Sequence, residues 1–128
     1  MKVQSLCFAG VAAVLFSVPA SAHHSFAMFD QNKTATLNGT IKEFEWVNPH
    51  SWVNVTVQDP ATNKIYTWAL EAGSVQQLTQ RGWQKESLKP GDKVAVEIHP
   101  LKDGSHGGQV LTIKFPDGHS LSQGRETQ

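Results

Sequence analysis

From Thr36 onward the apolar positions fall into short alternating runs separated by turn residues. Leu37, Gly39 and Ile41 alternate with polar neighbours, and then the apolar phase slips to Phe44 and Trp46. A strand whose inward face changes partway needs a bulge or a sharp bend, and Gly39 is a natural place for strong coiling. Asn48-Pro49-His50-Ser51 reads as a turn. The next strand puts Val53, Val55 and Val57 on one face and Trp52, Asn54 and Thr56 on the other. Asp59 to Asn63 is a hairpin-type connection, so the strand that follows, Ile65 to Glu71, should pair antiparallel with it, with Tyr66, Trp68 and Leu70 on one face.

Ser74 is a good N-cap for a short helix in which Val75 and Leu78 lie three apart, and Gly82 stands where that helix should stop. Trp83 should fold back onto the core. Lys89-Pro90-Gly91-Asp92 launches a fourth strand through Val94, Val96 and Ile98, and a glycine-rich loop, Asp103 to Gly108, leads to a fifth through Leu111, Ile113 and Phe115. Three strands, a short helix and two strands predict an all-β chain with one short helix, folded as a five-stranded OB-like barrel. Seven strands, as an immunoglobulin sandwich requires, do not fit. The barrel is expected over residues 36–121, preceded by an N-terminal arm over 23–35 and followed by a disordered tail over 122–128. In the arm, Phe26, Met28 and Phe29 are available to dock on the body.

The most apolar stretch lies outside this domain. Lys2 precedes a largely apolar run from Leu6 to Val18, which Pro19 ends and Ala20-Ser21-Ala22 closes. A charged start, an apolar middle and a small-residue cleavage site are the parts of a secretory signal peptide. The run of 13 residues is short of the roughly 20 that span a bilayer. Residues 1–22 are therefore expected to be removed, leaving a chain that begins at His23, has no membrane span, and resides in the periplasm or is secreted.

Cleavage would remove Cys7, the one cysteine, so no disulfide, thiol nucleophile or thiolate ligand would remain. It would also remove Lys2, one of eleven basic residues, leaving ten against eleven acidic ones. That even balance gives no electrostatic footprint for nucleic acid.

Several segments together resemble an uncharacterised family of small exported bacterial proteins. They are His23-His24-Ser25-Phe26, then Gly39-Thr40-Ile41-Lys42-Glu43-Phe44-Glu45-Trp46 running into Asn48-Pro49-His50, then Trp68-Ala69-Leu70-Glu71-Ala72-Gly73-Ser74, Arg81-Gly82-Trp83 and Pro90-Gly91-Asp92. The resemblance implies export and an OB-like fold. It supplies no catalytic residues.

No Gly-x-Ser-x-Gly elbow, phosphate loop or His-Glu-x-x-His occurs, and Glu43 with Glu45, the one close acidic pair, should face solvent on alternate strand positions. No catalytic set is expected. The six histidines all follow the cleavage site. A free amino group on His23 would chelate a metal together with its own imidazole, His24 adds a second ring, and nitrogen sets favour Cu(II). Zinc is less favoured, since its structural sites usually draw on cysteine.

In an OB barrel the loop between strands one and two (L12) and the loop between strands four and five (L45) rim one binding face. His50, His99 and His106 are thus expected to converge there, with the arm completing a copper site. The plainer alternative makes His50 a turn residue, His99 a strand end, and His106 and His119 ordinary loop residues. Trp46 and Trp52, flanking Asn-Pro-His, are a candidate aromatic platform for a ligand. The sequence reads best as a non-enzymatic binding module for a small ligand or a periplasmic protein, with Cu(II) as its candidate cofactor. The alternatives are a structural protein that uses the barrel face on a partner, and a copper redox enzyme.

Overall fold

The alternation that begins at Thr36 becomes a strand, β1 (Ala35–Glu45), and the phase slip within it becomes a bulge. Its register against the next strand, β2 (Trp52–Gln58), runs Ile41 to Val55 and then Glu43 to Asn54, so Lys42 is the extra residue. Leu37 and Ile41 point inward before the bulge and Phe44 after it. The computed structural model describes residues 27–124. The expected leader and His23 to Phe26 of the arm lie outside the described residues, as do residues 125–128.

β1 is shared between two partners, pairing β4 (Lys93–Pro100) from Ala35 to Thr40 and β2 from Thr40 onward. Gly39 sits at the changeover. A β-carbon there would lie 2.4 Å from the Thr56 carbonyl oxygen and 2.7 Å from a Val55 methyl, so glycine is required by close approach rather than by an unusual backbone angle.

β3 (Ile65–Glu71) pairs antiparallel with β2, and β5 (Gly107–Lys114) with β4. The barrel closes where β3 meets β5 in parallel, Ala69 to Glu71 against Gly107 to Gln109. The result is the expected five-stranded OB-like barrel, with one additional strand, β6 (Ser120–Ser122), on the free edge of β5.

Inward-facing Val53, Val55, Leu70, Val96, Ile98, Val110 and Ile113 fill the barrel. The helix α1 (Val75–Gln80) lies between β3 and β4, opened by the Ser74–Gln77 capping box, and Gly82 follows it with φ +83°. Leu78 of the helix and Trp83 just after it are both fully buried. The Trp83 indole Nε1 donates to the Ser122 carbonyl at 3.1 Å. Gln123 accepts from the Gly73 amide through Oε1 and donates to the Val110 carbonyl through Nε2. These bonds correct the expected tail: Ser122 and Gln123 are stitched to the barrel, and a single apolar residue, Leu121, was too little for alternation to reveal the strand.

The described part of the arm is held as well. Phe29 is buried and bridges to Leu101, the Asp30 amide donates to Pro100 O, and the Lys102 amide donates to Met28 O. The arm thus extends the β4 pairing toward L45, while Met28 stays exposed. No helix among the described residues is long and apolar enough to cross a membrane.

Candidate functional site

L12 is tied to the segment between β3 and α1. Asn48 Oδ1 accepts from the Val75 amide at 3.0 Å, the Ser51 amide donates to Gly73 O, and the Ala72 amide donates to Ser51 O. Within this frame His50 Nδ1 stands 3.3 Å from Glu71 Oε1. Glu71 is buried, and the loss of hydration raises its carboxyl above the ordinary range, with the charge of His50 acting in the opposite direction.

The sign of the pH effect follows. A carboxyl whose folded-state pKa is raised adds stability below its unfolded-state pKa, and that contribution is lost as pH rises through the folded value. Glu71→Gln removes the charge at nearly constant shape. Between pH 4 and 7 the wild type is expected to lose stability relative to Glu71→Gln, read as diverging denaturation midpoints. Parallel pH profiles would show that the carboxylate is solvated in the folded state.

His99 ends β4, and its Nδ1 lies 2.7 Å from the Lys33 carbonyl of the arm. A carbonyl only accepts, so the hydrogen is on Nδ1, and the neutral ring keeps its lone pair on Nε2. His106, in L45, covers two aromatic rings of β3, with centroids 4.2 Å from Tyr66 and 5.0 Å from Trp68. His119 stacks on Phe115 at 4.0 Å and bonds Asp117.

The three rim histidines therefore have three different partners and do not form one site. Among the described residues no group of three or more His, Cys, Asp or Glu is placed to hold a metal ion. The reason is the position of the loops around the barrel. His50 meets the C-terminal end of β3, His106 lies over the middle of that strand, and β5 separates β3 from His99 on β4. His23 and His24 lie outside the described residues.

The two tryptophans are not a shared platform either. Trp46 packs edge-on against Phe44 at 5.5 Å, and Phe44 in turn meets Trp83. Trp52 pairs with Glu45 and Glu71 across the ladders, on the face opposite Val53. Trp83 is in the core as expected, whereas Trp68 is half-buried under His106.

One feature of the surface was not legible in the sequence: a groove of about 790 Å³ on the outer side of β4 and β5. Glu97, His99, Gln109 and Thr112 line it from the strands, Gln31 and Thr34 from the arm, Gln77 and Arg81 from α1 and its end, and Ser122 to Gly124 from the C-terminal segment. Of these, His99 is a candidate site residue from the sequence, and Arg81 stands in one of the family-like segments. Strand alternation does put Glu97 and His99 on one outer face, but nothing local shows that arm, helix and tail rise around them.

A closed five-stranded barrel with one capping helix and a groove on its side, whose lining also includes Leu78, Val110 and Leu111, defines an OB-like module. The chain belongs to the family of unknown function DUF6152, whose model matches residues 11–110. Comparison with curated proteins and with solved structures returns no match.

Proposed function

We propose that the chain is exported and works as a non-enzymatic binding module of the periplasm, holding a small polar ligand in the groove beside β4 and β5. The observation that carries this reading is the groove itself. Its volume of about 790 Å³ falls within the roughly 300–1,000 Å³ usual for small-molecule sites. Its walls are pinned, the arm through Asp30 and His99 and the C-terminal segment through Gln123 and Trp83. A site with fixed walls does not have to be ordered again by each ligand, which favours affinity.

The test is an NMR screen of amino acids, dipeptides, sugars and phosphates against the 15N-labelled domain. Binding should move the amides of Gln31, Glu97, Gln109 and Thr112 together, and Thr112→Trp, which fills the groove from its floor, should abolish it. Shifts confined to L12 or L45, or binding that survives Thr112→Trp, would sink the reading.

A second reading, Cu(II) at the amino terminus, is favoured by the course of the arm. Its bonds to Pro100 and Lys102 direct it toward the loop that carries His106. His23 stands five residues before Met28, a reach of at most about 17 Å. In this reading the chelating set is the His23 amine and imidazole with His24, and His106 is the rim histidine on the loop toward which the arm runs. One residue added ahead of His23 converts the amine to an amide and is expected to weaken Cu(II) binding at least about tenfold, or 1.4 kcal/mol. His50→Ala and His99→Ala are expected to leave it unchanged. Copper titration with a spectroscopic readout checks both, and an extended protein that binds as tightly as the native one would rule out the chelate.

A further inference from the structure

We infer that the groove takes a short peptide with free termini, its carboxylate on Arg81 and its ammonium on Glu97; this rests on the groove being the binding site and adds the class of ligand. Arg81 lies on the α1 wall and Glu97 on the β4 floor, both lining the same cleft. Neither has an ion-pair partner among the described residues. The exposed Arg81 head lies beside Gly124, where a β-carbon would meet the guanidinium.

Two opposite charges that share a cleft without pairing select against most ligands. An anion is repelled by Glu97 and a cation by Arg81. A neutral ligand that displaced water would leave both charges desolvated and unanswered, which is costly. A dipolar ligand satisfies both.

Other polar groups of the same lining suit a peptide bond. The Gln31 amide donates to Gln109 Oε1 at 3.1 Å, which orients the two side chains and leaves Gln31 Oε1 free to accept and Gln109 Nε2 free to donate. That acceptor and donor complement the N–H and C=O of a backbone amide. His99, with its hydrogen committed to Lys33, adds an acceptor at Nε2. Among the described residues no tryptophan, tyrosine or phenylalanine lines the groove, so the broad stacking surface that holds sugar rings is not provided. Di- and tripeptides, spanning about 7–10 Å when extended, fit a cleft of this volume.

Calorimetry on the full mature chain with dialanine tests the assignment, together with its N-acetylated form, its C-terminal amide and a neutral disaccharide. Free dialanine is expected to bind, each cap to weaken binding about tenfold or more, and the disaccharide not to compete. The variants give a sharper readout. Arg81→Ala should bind the free acid and the amide equally, and Glu97→Gln should bind the free and acetylated amines equally, while each keeps its discrimination at the other end. Equal binding of free and capped peptides by the wild type, or disaccharide binding without dialanine binding, would overturn the peptide assignment and leave the groove as the site. Dialanine binding that Thr112→Trp does not affect would overturn both.

Discussion

Trp83→Ala is expected to remove about 3–5 kcal/mol of folding stability, the usual cost of emptying a buried tryptophan site. The ring is 1% exposed, tilts against Phe44 at 6.2 Å and donates from Nε1 to the Ser122 carbonyl. Truncation opens a cavity at the base of the barrel and orphans that carbonyl as well. Small domains have only about 5–15 kcal/mol in all, so the variant should be partly unfolded at temperatures where the wild type is stable. Trp83→Phe separates the two contributions, since it keeps most of the packing and loses the hydrogen bond, at about 1 kcal/mol for the bond. Equilibrium urea unfolding checks both. If Trp83→Ala costs less than 1 kcal/mol, the helix and β6 do not close the barrel end as described.

Gly39→Val is expected to cost about 1–3 kcal/mol or more, the scale of overpacking in a filled interior. The obstacle is the Thr56 carbonyl 2.4 Å from the position of the new β-carbon, and backbone cannot rotate aside as a side chain can. β1 would have to separate from β2 at the point where it changes partners. Because the obstacle meets the β-carbon itself, Gly39→Ala should already carry most of the penalty. Thermal melts of the two variants are the check, and an alanine variant that melts with the wild type would exclude the close approach.

What the sequence revealed and what it hid divide along a physical line. Periodicity over seven or more residues reports the face a strand buries, so β1 to β5 were legible, and the slip after Ile41 located the bulge at Lys42. Ser74 and Gly82 marked the helix because capping is chemistry between near neighbours. β6 was not legible, since its three residues are held by Trp83 and Gln123 from elsewhere in the chain.

The histidines were assigned to the correct loops but not to the correct neighbours. A sequence tells which loop a residue occupies. It does not tell where around a barrel that loop points, and β5 lies between His99 and the two histidines near β3. The groove was hidden for a related reason, because its lining comes from five stretches that no window along the chain contains.

The parallel contact between β3 and β5 governs how the molecule comes into being. β1, β2 and β3 can zip up as a meander as soon as Glu71 is available, but Ala69 meets Gly107 only after 37 intervening residues have been put in place. Loop closure over such a span is the entropic toll that slows non-local β topologies into the millisecond-to-second range. Until it is met, β3 presents an open hydrogen-bonding edge with Tyr66, Trp68 and Leu70 beside it, the kind of surface on which chains add to one another. A molecule interrupted before β5 is thus a template for aggregation, and the closing strand is also its safeguard.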